Sequence, residues 1–139
     1  MTKGKSFDEI AIGEKANFSV TITEEMHGAF ADLTGDTSPI HTDDAFAKQS
    51  GYDRKIGYAF QISSLLSRLY GMYLPGGSSV CLRQESNFPN PWYPGDAISV
   101  EAEVVRKMES TRIVEIQVEM KRPDNAIVFR GLGTVKLLR

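Results

Sequence analysis

The chain has 139 residues, the size of one domain, enough to bury a core without a metal or a disulfide, and its 41% hydrophobic and 24% charged residues exclude a disordered chain. A net charge of −2, from 16 basic and 18 acidic residues, gives no bulk attraction for nucleic acid or an anionic membrane, and no apolar run approaches the roughly 20 residues that span a bilayer. The single cysteine, Cys81, excludes an intrachain disulfide and a cysteine-cluster metal site, and no signal-peptide apolar core follows Met1–Ser6, so one cytoplasmic domain over residues 1–139 is expected.

Asn17 to Ile22 alternates polar and apolar residues, which predicts a strand. Thr23 is placed to cap a helix, with Glu24 and Glu25 in its first turn. Met26, Phe30 and Leu33 then share one helical face, and Gly35 ends the helix. His27 beside the acidic residues reads as solvated surface. Asp36-Thr37-Ser38-Pro39-Ile40-His41 reads as an irregular, proline-fixed loop. Thr42 or Asp43 can cap a short helix through Ala45, Phe46 and Ala47, closed by Gly51. Asp43 and Asp44 are read as caps rather than catalysts. Tyr58 to Tyr70 is the most apolar helical segment. Phe60, Ile62, Leu65, Leu66, Leu69, Met72 and Tyr73 cover more than one face, which predicts a helix surrounded by protein.

Beyond the Pro75-Gly76-Gly77 turn the period switches to two. Strands are predicted over Ser79 to Phe88, around Ile98 to Val104, around Val114 to Met120, and from Ile127 to Leu138. Residues 121–125 form a hairpin loop between the last two. Gly131 and Gly133 imply a bulge or a close backbone approach. Cys81 is expected to be a buried, inert thiol. Trp92 and Tyr93, in a proline-rich break, either line a ligand entrance or cap the core. Arg83, Arg106, Lys107, Arg112, Lys121 and Arg122 read as scattered surface charge. One strand, then helices, then a run of strands predicts an α+β hot-dog fold. In it an antiparallel sheet wraps a long central helix, and an overhanging loop carries the chemistry. The exposed sheet edge of a single copy predicts a homodimer with a continuous sheet.

The segment Gly35-Asp36-Thr37-Ser38-Pro39-Ile40-His41 resembles the signature of the MaoC-like dehydratases, the (R)-specific enoyl-CoA hydratases. That signature is a Gly-Asp, then usually Asn-Pro, then a His five residues after the Asp. The resemblance continues in Asp43-Asp44-Ala45-Phe46-Ala47, Ser64-Leu65-Leu66-Ser67, Leu82 to Phe88 and Pro91-Trp92-Tyr93-Pro94-Gly95-Asp96. It implies a catalytic dyad of Asp36 and His41, with Ser67 near the substrate. It also implies a thioester oxygen held by a backbone N–H at the start of the long helix, near Ala59. Chemically, hydration of an activated double bond needs a base for water and a proton donor to the α-carbon. A carboxylate and an imidazole facing one water can share those tasks. The competing structural roles are a turn residue for Asp36, a hydrogen-bonded histidine for His41, and helix packing for Ser67.

Two positions depart from the family pattern. Ser38 stands where Asn is common, and Tyr58-Ala59 stands where His-Gly is common. Alanine keeps the N–H and adds a methyl, and Tyr58 fills space and can bond nearby backbone; with Ala59 and Ser67, Ser38 and Tyr58 complete the residues the resemblance sets at the oxyanion and substrate. The implied activity is interconversion of trans-2-enoyl and (R)-3-hydroxyacyl thioesters, on acyl-CoA or acyl carrier protein, without cofactor or metal. The alternatives are a hot-dog thioesterase, which the Asp-to-His spacing disfavours, and a non-catalytic acyl-thioester-binding subunit, which the two departures favour.

Overall fold

Alternation in the C-terminal half builds one sheet. The computed structural model describes residues 4–139; Met1, Thr2 and Lys3, part of the segment read above for a signal peptide, lie outside the described residues. Five strands form: β1 (Lys15–Thr21), β2 (Ser79–Asn87), β3 (Ala97–Met108), β4 (Ile113–Lys121) and β5 (Ile127–Leu137). Their order is β1-β3-β4-β5-β2, and every neighbouring pair is antiparallel. Ile98, Val100, Ala102 and Val104 of β3 and Val114, Ile116, Val118 and Met120 of β4 all point into the core. Each buried aliphatic side chain there contributes roughly 1.5–3 kcal/mol. Gly131 and Gly133 mark close approaches, as expected: a Cβ would lie 2.2 Å from the Glu85 carbonyl oxygen and 2.1 Å from the Tyr70 hydroxyl.

Between β1 and β2 run four helices: α1 (Glu24–Thr34), α2 (Pro39–Thr42), α3 (Asp44–Gln49) and α4 (Ala59–Arg68). Thr23 caps α1 by accepting from the Met26 N–H at 3.1 Å, and Gly35 ends it in the left-handed region at φ 75. Asp43 caps α3 by accepting from the Ala45 and Phe46 N–H groups. Helix α4 lays Ile62 and Leu66 into the core, and a wider π-helical turn, Leu69–Tyr73, continues it. That turn closes with the Leu74 N–H donating to the Leu69 carbonyl at 2.8 Å. Among the described residues, no helix is long and apolar enough to cross a membrane.

Four expectations need correction. Helix α4 is not surrounded by its own chain: Phe60 is 75% exposed, and Met72 and Tyr73 are exposed too. A five-stranded sheet covers one side of a helix and leaves the other open. In α1 His27, expected on the solvated surface, is the buried residue, while Met26 and Leu33 of the shared apolar face are exposed. Cys81 is exposed, because β2 is an edge strand whose residues are almost all uncovered. The loop after Asp36 is not wholly irregular: Pro39 starts the single turn of α2, a position where its missing N–H is not needed.

Candidate active site

Asp36 follows the glycine that ends α1. Its Oδ1 accepts from the Ser38 N–H at 3.0 Å. The Ser38 hydroxyl and then its N–H hold the Asp36 carboxyl below the ordinary range, so the group is ionised at neutral pH. Ser38, in the place of the common Asn, therefore still anchors the loop. Thr42 Oγ1 donates to the Ser38 carbonyl at 3.1 Å, which closes the α2 turn against the same residue.

His41 sits in that turn. Its Nδ1 lies 2.8 Å from the Ile56 carbonyl oxygen. A carbonyl only accepts, so Nδ1 carries the proton and Nε2 holds the lone pair. The His41 backbone carbonyl lies 2.7 Å from His27 Nε2, so that nitrogen donates and His27 Nδ1 is left bare. His27 is 4% exposed, not solvated surface, and burial pushes its pKa down. Among the described residues, buried His27 Nδ1 and Gln61 Oε1 have no partner. Gln61 Nε2 donates to the Met26 carbonyl at 2.9 Å, which ties α4 to α1 beside His27.

Tyr58 joins the two halves of the site. It is 3% exposed and precedes α4 as its N-cap. Its hydroxyl donates to the Asp36 backbone carbonyl at 2.5 Å. Its ring stacks on His41, with centroids 4.0 Å apart and planes 27° apart. Burial, and then the Asp36 charge, pushes the phenol pKa up, so it remains a donor. Trp92 holds this turn from behind. Its Nε1 donates to the Tyr58 carbonyl at 3.0 Å, and its own carbonyl accepts from the Gly57 N–H at 2.6 Å. A Cβ at Gly57 would lie 2.1 Å from the indole, so this position needs glycine for close approach. Trp92 is buried in the core and also lines a cleft. Half-buried Tyr93 lies near the Arg54 and Arg122 guanidiniums, at 5.1 and 5.9 Å from its ring centre.

Ala59 is the first residue of α4, where N–H groups have no carbonyl one turn earlier. It lines a cleft of about 210 Å³ with Ile56, Gly57, Ile62, Trp92 and Val128. Ser67 lies elsewhere, in a groove of about 470 Å³ with Ser63, Leu66, Tyr70 and Gly71. The fold thus gathers Asp36, Ser38, His41 and Tyr58 and leaves Ser67 on the open face of α4; Ala59 follows Tyr58 in the chain and lines a cleft that none of those four residues lines. Sequence reasoning missed His27, Gln61, Gly57 and the Trp92 bond. The usable signal for His27 was its spacing of four residues after Thr23 and before Ala31, one face of α1. Among the described residues, no three His, Cys, Asp or Glu side chains cluster as metal ligands would.

A family model described as a MaoC like domain matches residues 8–125. The chain belongs to the MaoC-like dehydratase family. It is 33% identical to the (R)-specific enoyl-CoA hydratase of Aeromonas caviae over 132 residues, covering 95% of this chain and 98% of that protein. It is 28% identical to the 3-hydroxybutyryl-CoA dehydratase of Methylorubrum extorquens, covering 94% and 83%. Among solved structures, the (R)-hydratase from A. caviae involved in PHA biosynthesis superposes with a TM-score of 0.87, covering 92% of this chain and 97% of that one. The R-hydratase of Pseudomonas aeruginosa, at 26% identity, gives 0.88 with 96% and 86% covered. The MaoC-like resemblance and the hot-dog fold expected from the sequence are both borne out.

Proposed function

We propose that this MaoC-like chain is a hydro-lyase that interconverts trans-2-enoyl and (R)-3-hydroxyacyl thioesters. The observation that carries the proposal is His41: Nδ1–H is bound to the Ile56 carbonyl, so Nε2 is basic and aimed away from the backbone. In the hydration direction, Nε2 takes a proton from water as the water oxygen bonds C3. Ionised Asp36 orients that water and balances the imidazolium. The C2=C3 electron pair moves toward the thioester oxygen, and the Ala59 N–H stabilises the charge that develops there. The imidazolium then delivers its proton to C2, and dehydration is the reverse. The relatives named as hydratases and dehydratases of acyl thioesters support this chemistry.

The carrier is CoA or acyl carrier protein, and no cofactor takes part. The chain acts as one hot-dog domain over residues 1–139, in the cytoplasm, as a homodimer. Support for the dimer comes from edge strand β2, which exposes Val80 and Leu82, and from the uncovered Phe60 on α4. A second copy would cover that face and the groove at Ser67. Purified protein mixed with crotonyl-CoA tests the reaction: enoyl absorbance should fall with no release of free thiol. Thiol release would mean a thioesterase, and acyl-CoA binding with neither change would mean a binding subunit. Light scattering should give twice the chain mass, and a monomer would overturn the dimer.

A further inference from the structure

We propose that Tyr58 is a positioning residue: one buried side chain holds both members of the dyad and, through its own backbone, the turn that presents the Ala59 N–H. The proposal rests on the dyad assigned above and changes the part expected of Tyr58, from touching substrate to bracing the residues that do. At 3% exposure the side chain has no surface left for a ligand. Its hydroxyl is bound to the Asp36 carbonyl, its ring is stacked on His41, and the same ring lies 5.0 Å from Phe30 and 4.8 Å from His27. All four neighbours belong to the segment from α1 to α2, so the ring is packed on several sides.

The geometry separates two functions within one residue. The phenol O–H sets the height of the loop at Asp36, because a donated hydrogen bond fixes the carbonyl of the residue that bears the carboxylate. The ring face sets the tilt of the imidazole, whose other restraint is the bond from Nδ1 to Ile56. The backbone then ties both to the donor. Tyr58 is the residue before Ala59, and its carbonyl is held by the Trp92 indole N–H, so the turn cannot shift without breaking that bond. Displacements well under 1 Å matter in such a constellation, since reacting atoms must approach within about 3–3.5 Å in line. The Tyr-Ala pair in place of the family's common His-Gly therefore replaces a shorter side chain by one that reaches the Asp36 carbonyl.

Three variants test this, with crotonyl-CoA turnover and the His41 ring nitrogens as readouts. Tyr58→Phe removes the hydroxyl and keeps the stack; Tyr58→Leu removes both. Ile116→Ala, a β4 core change outside these contacts, serves as a control for lost stability. The expected order is wild type, then Phe at about tenfold lower kcat, then Leu at about a hundredfold lower, with KM within about twofold throughout. The 15N shifts of His41 should report a single Nδ1–H tautomer in wild type and Tyr58→Phe, and a tautomer mixture in Tyr58→Leu. This second readout needs no turnover. Wild-type kcat in the folded Phe variant, or an unchanged His41 tautomer in the Leu variant, overturns the proposal. So does a loss of kcat that merely matches the Ile116→Ala control at equal loss of Tm. If Asp36→Asn and His41→Ala keep full turnover, the dyad itself is wrong; if they lose it while Tyr58→Phe does not, only the brace is wrong.

Discussion

The strands β3, β4 and β5 and the segment from α1 to the start of α4 hold together in different ways. In the sheet, ladder hydrogen bonds satisfy the backbone and alternating Val, Ile and Met side chains fill the core. In the helical segment, stability comes from individual side chains bound to backbone carbonyls: His41 to Ile56, His27 to His41, Tyr58 to Asp36, Gln61 to Met26 and Trp92 to Tyr58. The sheet spreads its free energy over many interchangeable aliphatic contacts. The helical segment concentrates position in a few polar contacts that no neighbouring residue can replace. A reaction needs atoms at fixed places, so the chemistry sits where single contacts set geometry and the sheet supplies the platform.

The difference can be broken most sharply at the dyad. His41→Ala and Asp36→Asn are expected to cut crotonyl-CoA hydration by about a hundredfold or more, the scale of lost general acid–base catalysis. The Tm should move little in Asp36→Asn, whose amide oxygen can still accept from the Ser38 N–H, and somewhat more in His41→Ala, which loses the bond to the Ile56 carbonyl and the stack on Tyr58, a loss of about 1–2 kcal/mol. Near-wild-type turnover in either would remove that residue from the mechanism. The opposite pattern is expected in the sheet. Ile116 is fully buried, and Ile116→Ala should destabilise by about 2–5 kcal/mol in urea unfolding, while turnover per folded molecule stays close to wild type. A proportionate loss of kcat would show that the two regions are coupled.

Gly57→Ala falls between these cases. The added methyl meets the Trp92 ring at 2.1 Å, and overpacking of that kind costs about 1–3 kcal/mol. Because the ring also bonds the Tyr58 carbonyl, activity should fall further than the stability loss alone explains. Equal loss in both would mean that Trp92 only packs.

The smallest effect is expected from His27. Burial lowers its pKa in the folded chain, so as pH falls through about 6.5 the unfolded chain takes up the proton first. The stability contribution is complete above that range and is lost as pH falls toward the folded value. His27→Gln, whose amide can still donate to the His41 carbonyl, should flatten the loss of stability as pH falls below about 6.5. Parallel wild-type and variant curves would show that His27 does not titrate on unfolding.

Much of the sheet was legible in the chain. Val114, Ile116, Val118 and Met120 alternate with polar residues, and strand alternation is a local signal. The Gly35-Asp36 and Pro39–His41 motif was legible for the same reason, since its members lie within one short segment. His27 was misread because it stands beside acidic residues on an amphipathic helix, and hydrophobicity carries no sign that a histidine will be turned inward by the His41 carbonyl of α2. Cys81 was misread because it lies in the apolar run Val80-Cys81-Leu82, which looks buried on its own, and edge position is a property of the whole sheet.

The sequence alone determined the family, the antiparallel character of the C-terminal strands, the cap at Thr23, and the pairing of Asp36 with His41 as candidates; between Thr42 and Asp43 as the next cap, the structure chose Asp43. The cap, the strand alternation and the Asp36–His41 spacing each depend on residues within a few positions of one another, and the family on a series of such short segments in order. Only the tertiary structure decided the strand order β1-β3-β4-β5-β2, the burial of His27, and the brace in which Tyr58 reaches Asp36 across a separation of 22 residues and Trp92 reaches Tyr58 across 34. Those contacts join segments whose local patterns are independent, and they exist only because β3 and β4 give the helices one surface on which to meet.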